Sequence, residues 1–136
     1  MAVSEEEDGV VVAVVTVRSA EAAAHARAVK VDVAGVAAFL VENLGTTLTA
    51  YIAGVDKKTV LRCARAETQP RAGVEQRLRA AFQVFQLLMT VESPHTVRAW
   101  FTGMNPQLDD LSPAEALRGG QDRAVLAAAR AFVAGG

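Results

Sequence analysis

Residues 46–66 read TTLTAYIAGVDKKTVLRCARA, two short apolar-periodic segments separated by a glycine. Two short helices that meet in a tight turn need a small residue where they cross, and Ala50 provides one. Gly54 follows four positions later, where the chain turns with positive φ, which glycine adopts without steric cost. Val60 comes six positions after Gly54 and is expected to point into the core from the second helix. The spacing predicts a helical hairpin, with helices at about 47–53 and 57–66.

The second of these helices has a basic outward face. Asp56 is expected to cap its start, and Cys63 falls on the same inward side as Val60. The candidate DNA-binding residues lie on the other side, and they are Lys57, Lys58, Thr59, Arg62 and Arg65. Lysine and arginine neutralise phosphates, and Arg62 is suited to a bidentate contact with guanine in the major groove. The pattern predicts a helix-turn-helix that binds DNA; the alternative is an ordinary hairpin with a solvated basic face.

The charge distribution agrees with a local rather than a general affinity for nucleic acid. The net charge of the whole chain is −1, and residues 1–10 contain four acids and no base. Residues 46–80 contain seven bases against three acids, a local net charge of +4. One helix-turn-helix makes few phosphate contacts and binds weakly, so a homodimer or a larger assembly is expected.

Composition and motifs argue against several other functions. The chain has 136 residues, 51% of them hydrophobic and 5% aromatic, which indicates a folded protein with a mostly aliphatic core. Cys63 is the single cysteine, and His25 and His95 are far apart, so no disulfide, metal site or cofactor is expected. Adjacent carboxylates such as Asp109 and Asp110 are usually solvated in a loop. We therefore do not expect an enzyme.

Residues 1–32 are expected to form an acidic segment and an extension. The β-branched run Val10–Val17 favours a short β-strand, which either pairs with a symmetry mate or simply leads into a helix. This run is too short to span a bilayer and follows acidic residues, unlike a signal peptide, so a cytoplasmic protein is expected.

The remaining sequence predicts an all-α fold in two parts, a helix-turn-helix bundle at 33–92 and a small helical module at 93–136. Residues 74–91 form the clearest helix, with an apolar stripe of Val74, Leu78, Phe82, Phe85 and Met89. Serine–proline pairs mark two later helix starts, at Ser93 and Ser112. Cap and spacing signals predict the other helices at about 19–29, 33–44, 93–103, 113–118 and 121–133.

The second part contains an ordered series of residues, which runs Trp100, Asn105-Pro106, Leu108, Leu111, Pro113, Leu117, Gly119-Gly120, Val125 and Ala128. This series resembles the toxin-binding domain of the Xre/MbcA/ParS-type antitoxins. With the helix-turn-helix before it, the resemblance covers about residues 33–136, and residues 1–32 have no counterpart.

The resemblance implies an antitoxin of a type II toxin–antitoxin system. Such antitoxins cover the active site of a RES-domain toxin that consumes NAD, and they repress their own operon through the helix-turn-helix. Three candidate toxin-binding residues match the family pattern, and three others are chosen for their location in the last helix. They are Trp100, Asn105 and Pro106, and Arg123, Arg130 and Phe132. Trp100 is also suited to the core of a small helical module that has few other aromatics. The alternative function is a stand-alone chromosomal or phage regulator whose C-terminal helices oligomerise.

Overall fold

A computed structural model of the chain describes residues 17–25 and 31–135, and within these residues the protein is all-α, with no strand. The helices are α1 (17–25), α2 (Val33–Leu44), α3 (Thr46–Ala53), α4 (Lys57–Ala64), α5 (Ala72–Leu88), α6 (Pro94–Thr102), α7 (Pro113–Arg118) and α8 (Asp122–Val133). A short 3₁₀ helix, Pro106–Leu108, lies between α6 and α7. The predicted all-α class is confirmed.

The predicted strand at Val10–Val17 lies outside the described residues except for Val17, which is helical and belongs to α1. The predicted helix at 19–29 matches α1 as far as residue 25, and its last four residues also lie outside the described part.

The helix starts follow local capping signals. Asp32 accepts a hydrogen bond from the Gly35 amide at 2.8 Å and caps α2. Ser93 and Ser112 cap α6 and α7, each followed by a proline at the first helical position. These side chains satisfy amide groups that have no partner inside the helix, so the predicted starts agree with the observed ones to within a residue or two.

The turn between α3 and α4 has the predicted geometry. Gly54 has φ 75° and ψ 30°, and its amide donates to the Ala50 carbonyl at 2.9 Å. Both helices pack on α2, and α4 packs on α3. The inward side chain of Val60 is 1% exposed, so it lies in the core where these helices meet.

Helix α5 packs on α2, α3, α7 and α8. The predicted apolar stripe on α5 is wrong at its C-terminal end. Leu78, Phe82 and Phe85 are buried as expected. Met89, however, is 38% exposed, because α5 ends at Leu88 and the chain turns away. Leu88 is buried in its place, one helical turn beyond Phe85.

One hydrophobic cluster joins both parts of the described chain. The Phe39 ring meets the Phe85 ring edge-on at 5.2 Å between centroids, and Phe85 stacks on Phe101 at 6.0 Å. Helix α8 packs on α5, and α7 packs on α3. The residues at 33–92 and 93–135 therefore share a core. None of the described helices is long and apolar enough to cross a membrane.

Candidate nucleic-acid interface

Helix α4 has one buried and one solvent-facing side. Val60 and Cys63 are 1% and 2% exposed and anchor the helix from beneath. The opposite side is water-accessible, with Thr59 half-buried near its start, and its exposed cations are Lys57, Lys58, Arg62 and Arg65. Within the described residues none of these cations forms an ion pair or a side-chain hydrogen bond. All four charges therefore face solvent, as the sequence predicted.

Asp56 fixes the start of α4. Its carboxylate Oδ1 accepts a hydrogen bond from the Thr59 amide at 2.8 Å. Hydrogen bonds from Thr59, and to a smaller degree the charge of Lys58, hold the pKa of Asp56 below its ordinary value. The carboxylate is therefore charged at neutral pH, and it orients the first turn of the cationic helix.

Two of the seven basic residues at 46–80 are half-buried and bond to other groups of the protein. Arg77 donates from Nε and Nη2 to the Ala53 carbonyl at 3.0 and 2.7 Å, which caps the end of α3. Arg79 pairs with Glu75 at 2.8 Å and donates to the Val31 carbonyl at 2.7 Å. Of the seven bases at 46–80, five are exposed: Lys57, Lys58, Arg62, Arg65 and Arg71. The sequence contained no local signal for Arg77, because its carbonyl partner is distant in the chain, whereas Glu75 and Arg79 stand four residues apart, the spacing of a helical ion pair.

The aromatic candidates of the second part pack on each other and on the core. Trp100 is half-buried and meets Phe101 edge-on at 5.6 Å and Phe132 at 6.4 Å between centroids. Phe132 is half-buried too, and Phe101 is fully buried. These contacts fit the alternative reading of Trp100 as a core residue.

Asn105 and Pro106 belong to a tight loop. The Asn105 side chain accepts from the Gln107 amide at 3.0 Å, and its backbone amide donates to the Leu111 carbonyl at 3.1 Å. Pro106 is exposed at the first position of the 3₁₀ helix. Asn105 therefore shapes the loop, and Pro106 is presented at its surface.

The two arginines of α8 differ in their surroundings. Arg130 pairs with Glu21 of α1 at 2.8 Å, so it links the N-terminal extension to α8. Arg123 is exposed near the start of the helix. Of the six candidate toxin-binding residues, Pro106 and Arg123 are thus the exposed ones.

A contact that the sequence did not predict joins α7 to the helix-turn-helix. Arg118 donates to the Tyr51 carbonyl at 2.9 Å, and its guanidinium lies 4.6 Å from the centre of the Tyr51 ring. This hydrogen bond and cation–π contact hold α7 against the last turn of α3.

The two histidines and the adjacent aspartates lie on different parts of the described chain. His25 and His95 are exposed, and Asp109 and Asp110 are exposed loop residues. Among the described residues there is no group of three or more side chains suited to hold a metal ion.

Comparisons of the chain with protein-family models, with curated proteins and with solved structures found no match.

Proposed function

We propose that this protein binds DNA through α3 and α4 and regulates transcription. The observation that carries the proposal is the two-sided character of α4. Its cations face solvent, while Val60 and Cys63 fix its opposite side in the core. A rigid, capped helix with exposed lysines and arginines suits the major groove, because the groove admits one α-helix.

In this proposal Lys57 and Lys58 contact phosphates and Arg62 reads a base edge. Helix α4 has only eight residues, so one protomer covers a short half-site. Two protomers on a two-fold symmetric operator would supply the affinity that a single unit lacks.

The test is a gel-shift series on the DNA upstream of the gene with Lys58→Ala combined with Arg62→Ala. Both side chains are exposed, so the variant should fold normally but lose operator binding. The matched control, Arg18→Ala with Arg123→Ala, removes two exposed charges elsewhere and should bind as the wild type does. Unchanged operator affinity in the Lys58/Arg62 variant would refute the proposal.

We further propose that the regulator is a cytoplasmic antitoxin, partner of a RES-domain toxin. The support is the resemblance of residues 33–136 to the Xre/MbcA/ParS-type antitoxins. Exposed Arg123 and Pro106 then belong to the toxin-facing surface, while Trp100, Asn105, Arg130 and Phe132 shape or support it.

Co-expression with a RES-domain toxin from the neighbouring reading frame tests this second step. The wild type should preserve cellular NAD and growth, and Arg123→Glu should weaken that protection. Arg18→Glu, at an exposed residue of α1, is the control and should protect fully. Loss of NAD in cells that contain the wild-type protein would exclude the antitoxin function.

A stand-alone regulator is the second candidate. The internal contacts of Trp100, Arg130 and Phe132 favour it, because they leave only part of the predicted toxin surface exposed. Normal operator binding by a protein that gives no protection against the toxin would support this alternative.

A further inference from the structure

A groove lies beneath α4, on the side that faces α5. Helix α4 packs mainly on α2 and α3. The space left towards α5 has a volume of about 580 Å³, and the loop at 68–71 contributes to its lining. Small-molecule sites in proteins usually measure about 300–1,000 Å³, so the groove has the size of a ligand site.

The groove combines an apolar floor with a cationic rim. The apolar side chains that line it are Val55, Val60, Cys63, Val74 and Leu78. Its polar lining comes from Thr59, Thr68 and Gln69, and its charged lining from Arg71 and Arg77, with no acidic side chain among the described residues that line it. Burial, and the charge of Glu75 nearby, raise the pKa of the Cys63 thiol, so the floor is uncharged at neutral pH.

The two arginines of the groove differ in how they are held. Nε and Nη2 of Arg77 bind the Ala53 carbonyl, which holds the guanidinium in place. Its Nη1 lies on the Gly73 side, 3.7 Å from the point where a Cβ on Gly73 would stand. Arg71 is exposed at the start of α5. Donors at the rim and hydrocarbon on the floor match a molecule with an anionic head and an apolar tail.

We propose that this groove binds a small organic carboxylate with an unbranched hydrocarbon tail. The carboxylate lies against Arg71 and Arg77, and the tail lies on Val55 and Val74, the half-buried apolar side chains of the groove. Because the groove lining includes Thr59 of α4 and Val55 just before that helix, an occupied groove is coupled to the position of α4. Binding itself does not depend on the DNA-binding function; only its effect on an operator rests on that proposed function.

Octanoate is the probe, followed by ¹H–¹⁵N NMR titration of the full chain without DNA. We expect saturable shifts of the amides of Val55, Val60, Cys63 and Val74. Octan-1-ol has the same chain length without the charge and should bind at least severalfold more weakly. No saturable shift at these amides with octanoate, or equal binding of the alcohol, would overturn the proposal.

Two pairs of variants locate the site. Gly73→Leu places a side chain in the groove beside Arg77 and should weaken octanoate binding about tenfold. Gly73→Ala adds only a methyl group in ordinary contact and is its control. Arg71→Gln should weaken binding severalfold, while Arg123→Gln, an exposed arginine outside the groove, should not. Full octanoate affinity in the Gly73→Leu and Arg71→Gln variants would contradict this location.

A gel shift with and without octanoate then measures the coupling to α4. We expect a change in operator affinity that Gly73→Leu abolishes. The two proposals fail separately, because octanoate binding is measured without DNA and operator binding without octanoate. Octanoate binding with unchanged operator affinity would refute the coupling and leave the site standing.

Discussion

Ala66 has φ 60°, in the left-handed region, directly after α4. Its amide bonds the Cys63 carbonyl at 3.0 Å, and the next amide, of Glu67, bonds the Arg62 carbonyl at 2.9 Å. This turn ends the cationic helix and directs the chain towards the loop before α5. A Cβ in this conformation costs about 1–2 kcal/mol, so the sequence places a strained residue at the end of α4.

Ala66→Gly should therefore raise the free energy of unfolding, by about 0.5–1 kcal/mol once the greater freedom of glycine in the unfolded chain is included. Urea denaturation followed by circular dichroism measures it. Ala38→Gly, at an exposed position inside α2, is the control and should lower stability by about 0.5–1 kcal/mol. A destabilised Ala66→Gly variant would argue against the left-handed turn.

The buried thiol of Cys63 predicts a pH dependence. Desolvation, and secondly the Glu75 carboxylate, raise the pKa of Cys63 above its ordinary value of 9.0. The folded protein then holds the proton more tightly than the unfolded chain, so this contribution is full below pH 9.0 and falls as pH rises towards the folded pKa.

Cys63→Ala isolates this effect from the other groups that titrate at high pH. The stability of the wild type should fall more steeply than that of the variant as the pH rises above 9.0. Parallel curves of unfolding free energy against pH would contradict the prediction.

At the scale of single elements, the N-terminal caps of α6 and α7 differ in hydrogen-bond geometry. In α7 the Ser112 hydroxyl accepts from the Glu115 amide at 3.0 Å, and the Glu115 carboxylate accepts from the Ser112 amide at 2.9 Å. In α6 the corresponding distance, from the Thr96 amide to the Ser93 hydroxyl, is 3.4 Å, and Ser93 is exposed. The reciprocal pair in α7 is the stronger cap.

Ser112→Ala should lower the free energy of unfolding by about 1 kcal/mol, because it leaves an amide of α7 without its acceptor. Ser93→Ala is the matched control and should have a clearly smaller effect. Thermal unfolding of both variants, compared with the wild type, measures the difference. Equal effects would mean that cap geometry does not decide their strength.

For the whole molecule, the shared core predicts one cooperative unfolding transition. Leu40 of α2 is fully buried in the same cluster that contains Phe101 and Leu117. Trp100, the only tryptophan, reports on the second part of the chain. A core defect in the first part should therefore be visible at Trp100.

Leu40→Ala should cost about 2–5 kcal/mol, as large-to-small substitutions in a core do. The midpoint measured by Trp100 fluorescence and that measured by far-ultraviolet circular dichroism should fall by the same amount. A fluorescence midpoint that stays at the wild-type value would mean that residues 93–136 unfold independently.

Features that depend on residues close together in the chain could be predicted from the sequence alone. The spacing of Ala50, Gly54 and Val60 gave the hairpin, and Asp56 and Ser112 gave helix starts, because caps and turns use groups close in the chain. The exposed face of α4 followed from the same periodicity.

Which charged groups remain available, and where space is left between helices, depends instead on how the helices pack. Arg77 binds the Ala53 carbonyl, Arg118 binds the Tyr51 carbonyl and Arg130 pairs with Glu21, all across long stretches of sequence. The groove between α4 and α5 likewise exists because α4 packs on α2 and α3. Such contacts depend on how whole helices meet, and helical periodicity fixes the face of a helix but not its partner.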